Sequence, residues 1–213
     1  SPAAWLSLDE HDDEPRRFWQ YVTGAFEYAG LTGAGELRKQ LAHGTDEAFT
    51  EAITGLINTL ARDASPWTLV LDDFHFIREP AIHRQFAYFV DYLPPGVAVT
   101  LASRTEPPLP LARWRVSRWA QDIHPGLLAF SEEECRQFFQ GTMGLDISEE
   151  DVQAICRKTE GWVAAMQLSA LSGKGSSAGT RQIDLDERHI SDYVLSEVLD
   201  QQPAELADFL LET

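Results

Sequence analysis

Positive charge is scarce in this chain: 17 Lys and Arg stand against 34 Asp and Glu, a formal net charge of −17. Such a balance repels a phosphate backbone, so direct nucleic-acid binding by this segment is not expected. Cysteine is scarcer still. Cys135 and Cys156, the only two, fall within helical apolar spacing, where a small buried thiol is the usual occupant, and both are read as reduced core residues. The absence of a CxxC pair or a His/Cys cluster at ligand spacing argues against a structural zinc site and a disulfide-stapled secreted domain. No apolar run approaches the ~20 residues of a membrane span, and no signal-peptide pattern occurs, so a soluble cytoplasmic location without a membrane partner is expected. Also missing is GxxxxGK[ST]. Gly33-Ala34-Gly35 runs on into Glu36-Leu37-Arg38-Lys39, without the Gly-Lys-Ser/Thr ending that cradles phosphates.

What is present suits an α/β unit with a smaller helical one. The chain has 213 residues, 44% of them hydrophobic, enough for a sizeable core. A short strand over Ala3–Leu8 leads through an acidic turn to Pro15, a residue suited to the first turn of a helix. That helix carries Phe18, Val22 and Phe26 at i, i+4, i+8. After a Gly-rich break at 30–35, helical spacing resumes from Phe49 to Leu60. Trp67–Asp73 reads as a strand buried on both faces, Ile82–Leu93 as a helix, and Val97–Arg104 as a second buried strand. The alternation predicts right-handed crossovers and a mostly parallel sheet. Thr105–Leu111 is a proline-rich loop, and Trp119–His124 a candidate last strand. Beyond it the pattern is helical: Ser131 with Glu134 forms a capping box, Ser148-Glu149-Glu150-Asp151 repeats the start signal, and a helix follows over Glu160–Leu171. A linker over 173–179 and helices over Ile190–Leu199 and Pro203–Leu211 complete the reading.

The chemistry gathers at strand ends. Leu69-Val70-Leu71 delivers Asp72 and Asp73 to the carboxyl end of a strand, the side where α/β sheets bind ligands. In a P-loop ATPase such an acid holds Mg²⁺, usually through water, and the next can orient or deprotonate an attacking water. The alternative is an acidic turn or helix cap. Leu101-Ala102-Ser103-Arg104 ends a neighbouring strand in a guanidinium that could reach a γ-phosphate, or simply pair with the two acids. His75 is expected to serve as a structural hydrogen-bonder more than as a phosphate contact. Arg113, Arg115 and Arg118, among Trp114 and Trp119, are expected to cover the sheet edge and pair with acids.

Taken in order, Trp5-Leu6-Ser7-Leu8-Asp9-Glu10, Pro15-Arg16-Arg17-Phe18, Leu69-Val70-Leu71-Asp72-Asp73-Phe74-His75, Ala102-Ser103-Arg104, Pro107-Pro108-Leu109-Pro110-Leu111-Ala112-Arg113 and Thr159-Glu160-Gly161-Trp162 resemble the large ATP-dependent LuxR-type transcriptional regulators. These belong to the STAND class of signal-transducing P-loop ATPases. The resemblance implies a partial P-loop fold over 1–130 followed by a helical or winged-helix-like arm over 131–213. It makes Asp72 the Walker B acid that serves Mg²⁺, Asp73 the adjacent catalytic acid, and Arg104 a sensor that contacts ATP and supports its hydrolysis. Gly161 and Trp162 fall where many relatives have a Gly-x-Pro near the nucleotide base; this chain has Val163 in place of the proline.

The family implies a switch in which ATP and an inducer favour self-assembly, while inducer and promoter DNA are bound by regions outside this segment. A slow regulatory ATPase activity would belong to the full-length protein. The phosphate loop is expected upstream of Ser1, and in the family's sheet order its strand is expected between those ending at Asp72 and Ser103, leaving these to pair directly, stay open or recruit another chain. Two other readings are a STAND module attached to a protein kinase or other effector, and a scaffold without a nucleotide role. The 213-residue chain by itself is expected to bind Mg-ATP weakly or undetectably, and micromolar affinity in a calorimetric titration would overturn this.

Overall fold

The structure, a computed structural model, describes residues 2–43, 46–63, 65–145 and 147–172. It divides into two compact units, Ser1–Ala120 and Gln121–Thr213. The linker and the two helices expected over 173–213 lie outside the described residues.

The first unit is built on a three-stranded parallel sheet in the order β1 (Ala3–Ser7), β2 (Trp67–Asp72), β3 (Val97–Leu101). Of the three outcomes expected for the strands ending at Asp72 and Ser103, the first is found: β2 and β3 pair directly, with Leu69 opposite Val99 and Leu71 opposite Leu101. Any further strand must therefore join at an outer edge unless this pair opens. Side chains alternate between the two faces. Ala4, Leu6, Trp67, Leu69, Leu71, Val97, Val99 and Leu101 turn toward the helices and the core. Ala3, Trp5, Ser7, Ala98 and Thr100 on the other face are exposed, with Thr68 and Val70 half-buried between them. Burial on both faces, as expected for β2, is thus not found among the described residues: one face is packed and the other is open. The continuous apolar run in β2 could not reveal this, because Val70 is as apolar as the inward residues beside it.

The packed face is covered by α1 (Pro15–Tyr28), α3 (Asp46–Arg62) and α4 (Pro80–Asp91), with α2 (Ala34–His43) against α1 and α3. Helix α1 starts where Pro15 supplies a preset φ, and the Glu14 carboxylate accepts from the Arg16 and Arg17 N–H groups at 3.1 and 2.8 Å. Its apolar stripe buries Phe18, Trp19, Val22 and Phe26. Phe18 meets Trp19, Phe74 and Phe86 edge-on, an arrangement that suits the ring quadrupoles. Trp19 Nε1 finds Gln85 Oε1 at 3.0 Å. Helix α2 lies in a stretch that sequence spacing left unassigned; Gly33 and Gly35 disguise an inward row, Ala34 and Leu41, that the fold buries.

Two differences follow β3. The strand stops at Leu101, and no strand forms over Trp119–His124; α5 (Leu111–Val116) and a loop occupy this region. Asp91 caps the arrangement, accepting from Arg113 Nη2 at 2.6 Å and Trp114 Nε1 at 2.8 Å, while Arg115 pairs with Glu106 at 3.3 Å. The expected pairing of the arginine and tryptophan cluster with acids is found here.

The second unit is helical throughout its described residues: α6 (Pro125–Leu128), α7 (Glu132–Gln137), a π turn over Phe138–Thr142, α8 (Glu149–Lys158) and α9 (Val163–Ser172). The Ser131–Glu134 capping box is present, with Ser131 N–H to Glu134 Oε2 at 2.9 Å. Phe139, Val152, Ile155 and Met166 form its core. Cys135 and Cys156, expected as separate reduced thiols, are joined as a disulfide between α7 and α8. Helical spacing put each on an inner face correctly, but spacing within one helix says nothing about which residue of the next it meets.

Replacing Phe86 with Ala is expected to remove about 3–5 kcal/mol of stability, whereas Tyr28→Ala, at a position 96% exposed, should stay within about 0.5 kcal/mol. Urea unfolding of the two variants checks this, and equal losses would contradict the core assignment.

Candidate functional site

The carboxyl ends of β2 and β3 finish in step. Ala102 N–H bonds the Leu71 carbonyl at 2.9 Å and Phe74 N–H bonds the Ala102 carbonyl at 2.9 Å, so the two exit turns are tied together. Leu8 N–H bonds the Asp72 carbonyl at 3.1 Å, which adds the end of β1 to the same rim. By alternation Asp72 belongs to the open face, in the row with Ser7. Its Oδ1 accepts from the Asp73 N–H at 3.0 Å. Asp73 is left-handed, φ 56 and ψ 38, a conformation uncommon outside glycine, asparagine and aspartate. That turn swings the chain off the sheet axis and leaves the Asp73 carboxylate 43% exposed.

His75 lies beneath these acids. Its side chain is 11% exposed and its Nδ1 stands 3.7 Å from Asp73 Oδ1. Neither ring nitrogen has a hydrogen-bond partner among the described residues. The expected structural hydrogen-bonder is therefore not found. Burial, the largest influence, holds the imidazole below the usual histidine range; the Asp73 carboxylate opposes this, Arg104 and Arg78 reinforce it, and Asp72 opposes it more weakly. These influences also locate the charges: Asp72, Asp73, Arg104 and Arg78 all lie within electrostatic reach of one imidazole. The sequence had singled out three of these groups; Arg78 it missed, since a lone Arg in a loop carries no spacing signal.

Two carboxylates are too few for a self-sufficient metal cage, and among the described residues no group of three or more His, Cys, Asp or Glu is gathered for one. They do suit Mg²⁺, which keeps several waters and is typically held by one or two carboxylates together with substrate phosphates. A depression of about 250 Å³ lies elsewhere on the first unit, lined by Gln20, Tyr21, Arg38, Lys39 and Ala42. Glu27 and Glu36 already pair with its cations at 3.1 and 2.8 Å, so the strand-end rim is the stronger candidate.

Gly161 and Trp162 belong to the second unit. Gly161 follows Glu160 in a left-handed turn, φ 72 after φ 51, and a Cβ there would stand 2.4 Å from the Phe130 carbonyl oxygen. Glycine is thus demanded by packing alone. Trp162 is partly exposed at the start of α9.

The sequence has known relatives. The HTH-type transcriptional regulator MalT of Serratia proteamaculans (strain 568) is 34% identical over 220 aligned residues, 99% of this chain and 24% of that protein. By sequence, this chain is MalT-like. The MalT proteins of Yersinia enterocolitica (serotype O:8 / biotype 1B) and Yersinia pestis (strain Pestoides F) match over the same shares at 35% and 34% identity. This similarity over 99% of the chain is consistent with the resemblance to LuxR-type regulators carried by motifs from Trp5 to Trp162. The chain spans about a quarter, 24%, of the length of these MalT relatives. No protein-family profile matches it.

Because the folded imidazole is held low, the unfolded chain takes up the proton first as pH falls below about 6.5. Stability from this group is therefore complete above that pH and declines as the pH drops toward the folded value. Urea unfolding from about pH 7.5 to about 5.5 is expected to show this decline, and His75→Gln to reduce it. Identical declines in both proteins would remove His75 as its source.

Proposed function

We propose that this chain is part of the ATP-responsive switch of a transcriptional regulator, with the rim of Asp72, Asp73, His75 and Arg104 facing the triphosphate. The observation that carries the reading is that Asp72 and Asp73 at the end of β2 and Arg104 just beyond β3 leave the same, carboxyl ends of two paired parallel strands, with His75 3.7 Å from Asp73. The naming of the relatives as HTH-type transcriptional regulators supports the output, with promoter DNA and a small-molecule inducer bound by regions outside this chain.

Mg²⁺, when bound, would supply positive charge against the phosphates. Asp72 suits holding it, usually through water, being on the open face with one oxygen committed to the Asp73 N–H. The Asp73 carboxylate, 43% exposed, would orient and deprotonate an attacking water. His75, neutral and next to Asp73, can hold that carboxylate or the water by hydrogen bonding without adding charge. Arg104 would stabilise negative charge growing on the transferring phosphoryl group. The lysine and backbone amides of a phosphate loop would come from outside this chain. With β2 and β3 already paired, their strand would join at an outer edge of the sheet.

In the full-length protein, Asp72→Asn is expected to lower Mg-ATP affinity and ATP-dependent self-assembly. Asp73→Asn should leave binding within a few-fold while cutting hydrolysis by about 10²-fold or more, the range of a lost general base. Equilibrium binding, light scattering and phosphate release measure the three quantities. Unchanged ATP-dependent assembly and output in Asp72→Asn would favour the scaffold reading instead.

A further inference from the structure

The disulfide between Cys135 and Cys156 closes 21 residues of chain, and both residues are buried, 0% and 6% exposed. Nothing in the nucleotide reading uses it. Both sulfurs rest against one backbone oxygen, that of Phe130, at 3.8 and 3.6 Å. A disulfide has no proton to give that oxygen, whereas a thiol is a weak donor. The Phe130 carbonyl, with its two lone pairs, can therefore accept from both thiols after reduction, so the pocket accommodates either oxidation state.

The same residue is clasped to the turn before α9. Phe130 N–H bonds the Gly161 carbonyl at 2.9 Å, and Gly161 N–H bonds the Cys156 carbonyl at 3.0 Å. No slack is left at this point, since a Cβ on Gly161 would meet both the nitrogen and the oxygen of Phe130 at 2.7 and 2.4 Å. The disulfide, Phe130 and Gly161 thus form one closed circuit through α7 and α8.

We propose that Cys135 and Cys156 are a reversible redox latch that sets the order of the Thr159–Trp162 turn. Oxidised, the bond fixes α7 to α8 and the Phe130–Gly161 clasp is held. A dithiol reductant breaks the S–S bond by supplying two electrons and two protons, leaving two protein thiols and its own disulfide. The helices then separate more readily, and Phe130 is drawn toward new S–H donors. Re-oxidation by glutathione disulfide passes through a mixed disulfide, which the second cysteine thiolate resolves, releasing two glutathione thiols in all. Burial makes both directions depend on local opening. The latch stands without the nucleotide reading.

The test uses the full chain without nucleotide, one sample equilibrated with glutathione disulfide and one with dithiothreitol. Alkylation under denaturing conditions counts thiols, and hydrogen exchange by mass spectrometry reads the peptides containing Phe130 and Gly161. The oxidised sample is expected to show no free thiols, and exchange at these amides about tenfold or more slower than in the reduced sample. The Cys135→Ala/Cys156→Ala variant should exchange alike in both buffers. Free thiols persisting in glutathione disulfide, or exchange within about twofold between the two wild-type states, would overturn the latch. The wild-type comparison decides even where the double variant fails to fold. A failure here leaves the nucleotide reading standing, and absent Mg-ATP binding leaves the latch standing.

Discussion

The candidate site depends on the parallel pairing of β2 with β3. Parallel strands end on the same side, so the acids after one and the arginine after the other share a rim only because the pair runs in one direction. The register does the rest. Leu71 sits opposite Leu101, and the bonds from Ala102 to Leu71 and from Phe74 to Ala102 carry the pairing past the formal strand ends. A slip by one residue would turn Asp72 into the core and Leu71 onto the open face. The row of Ala4, Leu69 and Val99 and the row of Leu6, Leu71 and Leu101, packed against α1, α3 and α4, make such a slip expensive.

Forces at the rim differ from those elsewhere on the surface. Exposed ion pairs such as Lys39 with Glu36 contribute little, because water screens both partners. His75 is largely covered, 11% exposed, and its two ring nitrogens have no hydrogen-bond partner among the described residues although Asp73 lies 3.7 Å away. A buried, unsatisfied imidazole costs about 1–3 kcal/mol, and the left-handed Asp73 beside it adds backbone strain of similar order. Both lie on the same short turn. The aromatic cluster of Phe18, Phe74 and Phe86 supports that turn from below, so core packing holds a loop that would relax if left alone.

Much of this was legible in the sequence, for local reasons. Pro15 and the Ser131–Glu134 pair marked helix starts because caps act within one turn. Leu69–Leu71 followed by two acids marked the end of β2, and Leu101-Ala102-Ser103-Arg104 the end of β3. What escaped depends on contacts distant in sequence. The meeting of Cys135 with Cys156, the burial of α2 through Ala34 and Leu41, and the loss of partners at His75 are set by how elements pack together. The one-sided burial of β2 escaped for a related reason: an apolar run records what a strand can bury and not what happens to cover it.

That open face and the chemistry are coupled by the geometry of the sheet. Parallel sheets are stable with both faces covered, yet among the described residues Trp5 on β1 is 61% exposed, and Ala98 and Thr100 on β3 are exposed on the same face. Asp72 emerges on this same face, at the end of the row begun by Ser7. Whatever covers Trp5 and Val70 therefore also approaches the Asp72 carboxylate, excluding water and strengthening each charge interaction at the rim. Under the proposed function, shielding of this face would strengthen the charges at the rim, while the strand that carries the phosphate loop would join at an outer edge of the sheet.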